Sequence, residues 1–403
     1  MKNFDARDSI KTFRENIPLL HSLRSIIWKY AEKIMEKETP PIKIMNFCGT
    51  HEWATVHHGI RKLLPPSIEL VAGPGCPVCV TPSYYVEVLI RLASEGVRVY
   101  TYGDSFKLRT TGENHPTNLQ EAKADGADVR VVYSFLDAIK DARASGKEGV
   151  FFGIGFETTA PSYALALRDG MVPDNLKLLS SLRLTPPVMK KTVKIHQERG
   201  LLQLKGIIAP GHVSTVIGAK EWAFLPRDYG LPTVVAGFEP VDVMMAIAMI
   251  LQMIKNSKPA VKVEYRRLVK WEGNEEALKA MDEVFERVYA AWRGIGMIPR
   301  SGLRLKGKFL ESDALKHYGF EDVAPSSFIY TQAQDDGARK DLPPGCRCGE
   351  VVVGTAKPTD CPLFMKKCTP EKPWGPCMVS SEGTCAVWGR EIGGGENVPG
   401  GHG

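Results

Sequence analysis

Between Ile42 and Ala236 a short apolar run gives way eight times to a stretch with helical spacing. The first four runs are Ile42–Phe47, Ile68–Ala72, Val97–Tyr102 and Val129–Tyr133. Ser145-Gly-Lys-Glu-Gly149 then punctuates the chain, and Val150–Ile154, Leu176–Leu182, Gly206–Ala209 and Thr233–Ala236 follow. Strands alternating with helices can pair only through crossovers, so the pattern predicts an α/β fold with open parallel sheets. The expected architecture is two similar parallel-sheet lobes, residues 41–145 and 146–258. An N-terminal helix (1–40) and an irregular C-terminal domain (259–403) complete it, with a flexible tail from about residue 391. The N-terminal helix is expected to pack on the C-terminal domain. Apolar residues at helical spacing also predict helices over Val241 to Ile254 and from Leu278 to Trp292, with irregular chain after Pro299.

In such sheets ligands gather beyond the carboxyl ends of the strands. Two of these turns carry sulfur: Cys48-Gly-Thr-His51-Glu52 and Gly73-Pro-Gly-Cys76-Pro-Val-Cys79. A thiol facing the start of a helix is favoured as thiolate by the unpaired N–H groups there. Soft sulfur ligands, an imidazole and a carboxylate make the composition of a transition-metal or thiol-redox site. Cys76 and Cys79 have the spacing of a redox dithiol. His51 either orients the site or moves a proton, or its ring simply caps local backbone. Asp104, Glu157, His212 and Glu239 sit on other strand-end loops, where they can line a cleft or cap the following helix.

Several function classes are disfavoured. The net charge is a mild +6 with no basic block, which disfavours a nucleic-acid partner. The longest greasy run, Val243 to Leu251, is too short for a membrane span. Gly153-Ile-Gly155 continues as Phe, Glu and Thr rather than as a dinucleotide fingerprint. Nine cysteines in a chain whose first residues carry charges and no apolar core point to a reducing compartment, so a cytoplasmic location is expected.

Six of those cysteines fall between Pro343 and Trp388: Cys346, Cys348, Cys361, Cys368, Cys377 and Cys385. Glycine and proline surround them and little apolar periodicity runs between, so something other than a hydrophobic core must hold the segment. Cys-x-Cys followed by wide gaps does not match the paired knuckles of a zinc ribbon. Four thiolates can hold a [4Fe–4S] cluster, and two spare thiols beside it would form a redox pair. Structural zinc remains the alternative.

Cys-Gly-Thr-His-Glu at 48–52, Gly-Pro-Gly-Cys-Pro-Val-Cys at 73–79, Gly-Phe-Glu-Thr-Thr at 155–159, Pro-Gly-His-Val-Ser at 210–214 and Gly-Phe-Glu-Pro at 237–240 occur in this order. With Cys-Arg-Cys-Gly-Glu at 346–350 and Asp-Cys-Pro-Leu-Phe at 360–364, they resemble the HypD family of hydrogenase maturation factors. Tyr102-Gly-Asp104-Ser-Phe-Lys departs from the Gly-Asp-Met pattern common in that family. The resemblance implies a scaffold and redox protein that helps build the iron–dicyanide–carbonyl group of [NiFe]-hydrogenases. It implies a HypC-type chaperone as partner, a HypE-type cyanide donor, and a transient Fe(II) carrying cyanide and carbonyl ligands. By motif, Cys48 would hold that iron, and Cys76 and Cys79 would be a thiol pair near it. Cys346, Cys361, Cys368 and Cys385 would hold the [4Fe–4S] cluster, with Cys348 and Cys377 as the adjacent redox pair. A self-standing, cluster-fed thiol–disulfide reductase is the competing reading.

Overall fold

The computed structural model describes residues 17–37, 40–111, 115–198, 200, 204–323 and 341–393. Residues 1–16 of the expected N-terminal segment and residues 394–403 of the expected tail lie outside them, while residues 391–393, also expected to be tail, end the helix Thr384–Gly393. Every run expected to be a strand forms one, with ends shifted by at most a few residues: β1 (Ile42–Asn46), β2 (Ile68–Ala72), β3 (Arg98–Thr101), β4 (Val129–Val131), β5 (Gly149–Gly155), β6 (Leu176–Leu182), β7 (Leu204–Pro210) and β8 (Thr233–Ala236). A further strand, β9 (Val261–Val263), follows. All pair in parallel.

The pairing does not follow the expected lobes. One sheet runs β2-β1-β7-β8-β9 and the other β4-β3-β5-β6. The chain enters the first sheet, leaves it after β2, builds all of the second, and returns at β7. A break at residue 145 therefore falls between paired neighbours, since β3 lies next to β5. Strand-then-helix periodicity identifies elements, but a crossover of any length can join parallel strands, so it leaves partners open. Two compact units result: residues 1–75, 189–274 and 391–403, and residues 76–188 and 275–390.

In the first unit, the helix Pro240–Lys255 is apolar nearly all round because it is covered on both sides. One side lies on the sheet, where Gly206 has no side chain to meet Ile250; a Cβ there would be 2.3 Å from the Ile250 methyl. The other side meets the helix Ile17–Met35, whose Leu23, Ile27, Ala31 and Ile34 recur at helical spacing and are all buried. Each large aliphatic side chain buried there contributes about 1.5–3 kcal/mol. The N-terminal helix thus belongs to this core, not to a C-terminal domain.

The second unit holds the four-stranded sheet and an antiparallel hairpin of β10 (Phe285–Trp292) and β11 (Gly296–Leu305). The helical spacing expected through Trp292 stops at Val284, where the helix Glu275–Val284 passes directly into β10. Aromatic and β-branched residues take over at that point, and β11 supplies the cross-strand pairs that favour a strand. The same pairing orders the chain expected to be irregular after Pro299. The hairpin is fastened to β6 by bonds from Ser180 Oγ to the Leu303 carbonyl and from Leu184 N–H to the Ser301 carbonyl, at 2.7 and 2.8 Å. Residues 341–390 of this unit hold short helices and 3₁₀ turns, such as Cys348–Val352, Pro358–Asp360 and Pro376–Met378, and the start of the ten-residue helix Thr384–Gly393. Among the described residues no helix is long and apolar enough to cross a membrane.

Candidate functional site

Cys48 lies in extended backbone immediately after β1, as the N-cap of the helix Gly49–His57. It is partly exposed, whereas His51 and Glu52 one turn on are buried. The Gly73-Pro-Gly75 turn closes over it: Gly49 N–H donates to the Gly75 carbonyl at 3.3 Å, and a Cβ on Gly75 would lie 2.5 Å from the Cys48 Cα. Glycine at 75 is therefore required by backbone crowding at Cys48. Glu52 accepts from Asn46 Nδ2 at 2.7 Å and from Arg61 at 3.0 Å, so a buried carboxylate is paired and fixes the helix start on the strand end.

His51 Nε2 points at two backbone carbonyls after β8, Gly237 at 2.8 Å and Ala236 at 3.3 Å. Both partners only accept, so Nε2 carries a proton. Its pKa is lowered to about 4, chiefly by burial. The His51 ring stacks on Phe238, with centroids 4.9 Å apart, and exposed His212 stacks on the same ring at 3.9 Å. Glu239 begins the helix Pro240–Lys255, and its N–H donates to buried Asp242 at 3.3 Å.

In the second unit, Cys76 and Cys79 are joined as a disulfide and are 5% and 0% exposed, so this pair is oxidised and shielded from bulk solvent. Thr81 Oγ1 donates to the Pro77 carbonyl at 2.9 Å, and the next helix, Ser83–Ser94, follows. Asp104 accepts from Ser380 Oγ at 2.7 Å and from Ser381 N–H at 3.2 Å, holding the turn that leads to Gly383. That glycine separates the Cys377 carbonyl from the Cys79 sulfur: an added Cβ would meet them at 2.1 and 3.0 Å. Glu157 serves the same unit as a cap, accepting from Thr185 N–H at 2.7 Å, and burial pushes its carboxyl up to about 7. Of the four loop residues read as either lining a cleft or capping the following helix, Asp104 and Glu157 lie in this unit and His212 and Glu239 in the other.

All six C-terminal cysteines line one small cavity, together with Leu363, Phe364, Gly375 and Met378. Among the described residues no group of three or more His, Cys, Asp or Glu side chains forms a ready-made single-ion site. The sulfurs instead hydrogen-bond one another and receive backbone N–H groups. The Cys346 thiol donates to Cys361, which lowers the Cys361 pKa to about 5 and pushes the Cys346 pKa well up. Cys348 and Cys385 both donate to Cys377, which lowers its pKa and raises theirs. Trp374 and Gly375 N–H groups point at Cys368 Sγ at 3.3 Å each, and Cys385 N–H at Cys377 Sγ at 3.3 Å. Gly375 leaves space for Cys346 Sγ, which a Cβ would approach to 2.7 Å. A set of thiols lining one cavity, with amides aimed at sulfur, fits the donor chemistry of an iron–sulfur cluster. Sequence reasoning found every one of these cysteines but missed Gly75 and Gly383. Their only signal is a glycine beside a cysteine motif.

The HypD family model, described as the hydrogenase formation hypA family, matches residues 25–391. Hydrogenase maturation factor HypD of Cupriavidus necator is 41% identical over 350 residues, covering 85% of this chain and 88% of the relative. HypD2 of Bradyrhizobium diazoefficiens is 37% identical over 381 residues, covering 89% and 96%. A putative hydrogenase expression/formation protein of Methanocaldococcus jannaschii is 39% identical over 371 residues, covering 91% and 97%. A match this long takes in both units with the sulfur motifs of each, and the chain therefore belongs to the HypD family and acts in hydrogenase maturation.

Proposed function

We propose that this chain is a cytoplasmic scaffold on which the iron–dicyanide–carbonyl group of a [NiFe]-hydrogenase is assembled, with its own thiol redox chemistry. Iron is the cargo, shared with a HypC-type chaperone and receiving cyanide from a HypE-type donor. Cys48 is the thiol that holds it. A thiolate suits electron-rich Fe(II), and Cys48 is the partly exposed member of a turn whose other side chains are pinned by the fold.

Cys346, Cys361, Cys368 and Cys385 would hold a [4Fe–4S] cluster in the cysteine-lined cavity. When bound, such a cluster supplies electrons one at a time. The chain's own sulfurs do the two-electron chemistry. Cys377 thiolate attacks Cys79 Sγ, breaking the Cys76–Cys79 bond and releasing Cys76 as thiolate, which takes a proton. Cys348 then gives up its proton, its thiolate attacks Cys377 Sγ, and Cys79 is released as thiolate, which takes a proton. The balance is one disulfide reduced at 76/79 and one formed at 348/377, with two protons transferred from the second pair to the first. The observation that carries this reading is the placement of the Cys79 sulfur across Gly383 from the backbone carbonyl of Cys377, in the same unit as the cavity. Burial of both Cys76 and Cys79 favours internal exchange over turnover of a foreign disulfide, and so favours the scaffold over a self-standing reductase.

The test is infrared spectroscopy of the chain co-purified anaerobically with its HypC-type partner. Bands of metal-bound cyanide and carbon monoxide are expected, and both should vanish in Cys48→Ala. An iron-loaded complex without such bands, or bands that persist in the variant, would overturn the assignment.

A further inference from the structure

The carboxyl edge of the five-stranded sheet contains a residue that no motif marks. Glu264 follows β9, and its Oε2 accepts from the Gly237 N–H at 3.0 Å. That N–H belongs to the same peptide unit as the Ala236 carbonyl, which faces His51 Nε2, and the neighbouring Gly237 carbonyl takes the shorter 2.8 Å bond from the same nitrogen. Glu264 also hydrogen-bonds the fully buried Asp242, and burial pushes its carboxyl up to about 7. Asp242 in turn is held by Arg267 at 2.8 Å. At the far end, His51 Nδ1 is buried and has no hydrogen-bond partner among the described residues, in a residue that is 0% exposed. A buried ring nitrogen left bare is uncommon, because an unsatisfied polar atom costs free energy. His51 occupies the third position of the helix that Cys48 caps, where a side chain reaches back toward the cap.

We propose that Glu264 is a positioning residue for His51. By anchoring the Gly237 N–H it aims two carbonyls at Nε2, which keeps the ring neutral and protonated there. Nδ1 is thereby reserved as an acceptor on the helix turn that begins at Cys48. Polarisation of the Ala236–Gly237 peptide by the carboxyl group strengthens its carbonyl as acceptor. This is the carboxylate–histidine arrangement with a peptide inserted between the two. The use of Nδ1, accepting a hydrogen bond from the Cys48 thiol or from a group brought with the iron, rests on the function proposed above. The tautomer itself does not.

The full-length protein labelled with ¹⁵N-histidine provides the test, with the His51 signals assigned by their loss in His51→Gln. At pH 7 the wild-type ring should show a protonated Nε2 and a bare Nδ1. Glu264→Gln, which keeps an oxygen for the Gly237 N–H, should retain that pattern. Glu264→Ala should show an averaged mixture of tautomers and a maturation rate lower by about 10–100-fold. A proton on Nδ1 in the wild type would overturn the inference even if the Ala variant failed to fold. An unchanged His51 spectrum in Glu264→Ala would overturn it too, whatever happened to maturation. Loss of the infrared bands with the expected spectrum intact would instead count against the proposed function.

Discussion

Around His51, ordinary packing supplies every constraint. The ring is buried, its Nε2 faces two carbonyls, and Glu52 beside it is paired with Asn46 and Arg61. These partners come from strand ends and helix starts, so the site stands with nothing bound. Around the six cysteines of the cavity the supports are different. Turns and two helices, Cys348–Val352 and Thr384–Gly393, carry them, and the sulfurs are satisfied by one another and by a few backbone amides. Burying thiols that share protons is a weak way to hold a loop-rich segment, because S–H is a weak donor. The contrast separates a site completed by the fold from one that, on the function proposed above, is completed by the cluster it binds.

The largest effect is expected where the bound group is the support. Cys361→Ala or Cys368→Ala should unfold residues 341–390, a loss on the order of 10 kcal/mol of metal-coupled folding energy. Limited proteolysis should then cut that segment while the first unit stays resistant. Normal resistance together with a missing brown chromophore would erase the contrast. Next comes Glu52→Ala, which strands Asn46 and Arg61 beside β1. Breaking that buried pair should cost about 3–5 kcal/mol in chemical denaturation, and a change below about 1 kcal/mol would mean the edge is not prebuilt as described.

The pH dependence is smaller and has a definite sign. His51 has its pKa lowered to about 4 in the folded chain, so the unfolded chain binds its proton first as pH falls. The stability it contributes is complete above about pH 6.5 and declines toward pH 4, by about 3 kcal/mol in all. His51→Gln should flatten that part of the stability profile. An unchanged profile would show that the ring is not held neutral.

Much of this contrast was legible in the sequence, and the reasons for the rest are physical. Short apolar runs named the strands, and Cys48, Cys76 and the C-terminal cysteines announced themselves by residue type. Which strands pair was not legible, because β7 joins β1 from more than 150 residues away and no local pattern records that. The switch from helix to strand at Phe285 was hidden for a related reason. Its apolar spacing fits a helix until β11 arrives to pair with it. Glu264 had no motif at all; only the return of β9 to the edge of the sheet brings it to Gly237.

Gly383→Ala sharpens the comparison at lower energy. The methyl would press on the Cys377 carbonyl and the Cys79 sulfur, costing about 1–3 kcal/mol by strain. Exchange between the two sulfur groups, followed by alkylation of freed thiols after reduction, should slow at least about tenfold. Unaltered exchange would place the relay elsewhere. Cys48→Ala should have the smallest effect on stability, within about 0.5 kcal/mol, because a partly exposed side chain is removed. Its effect on maturation should nonetheless be complete in a strain lacking the native protein. A variant that still matured hydrogenase would exclude Cys48 as the iron ligand.

The contrast turns on what fills the cysteine-lined cavity, and metal analysis of the anaerobically purified chain reads that directly. The account predicts about four iron and about four acid-labile sulfide per chain. Both should be unchanged in Cys48→Ala and lost in Cys361→Ala. One zinc per chain with no sulfide would contradict it.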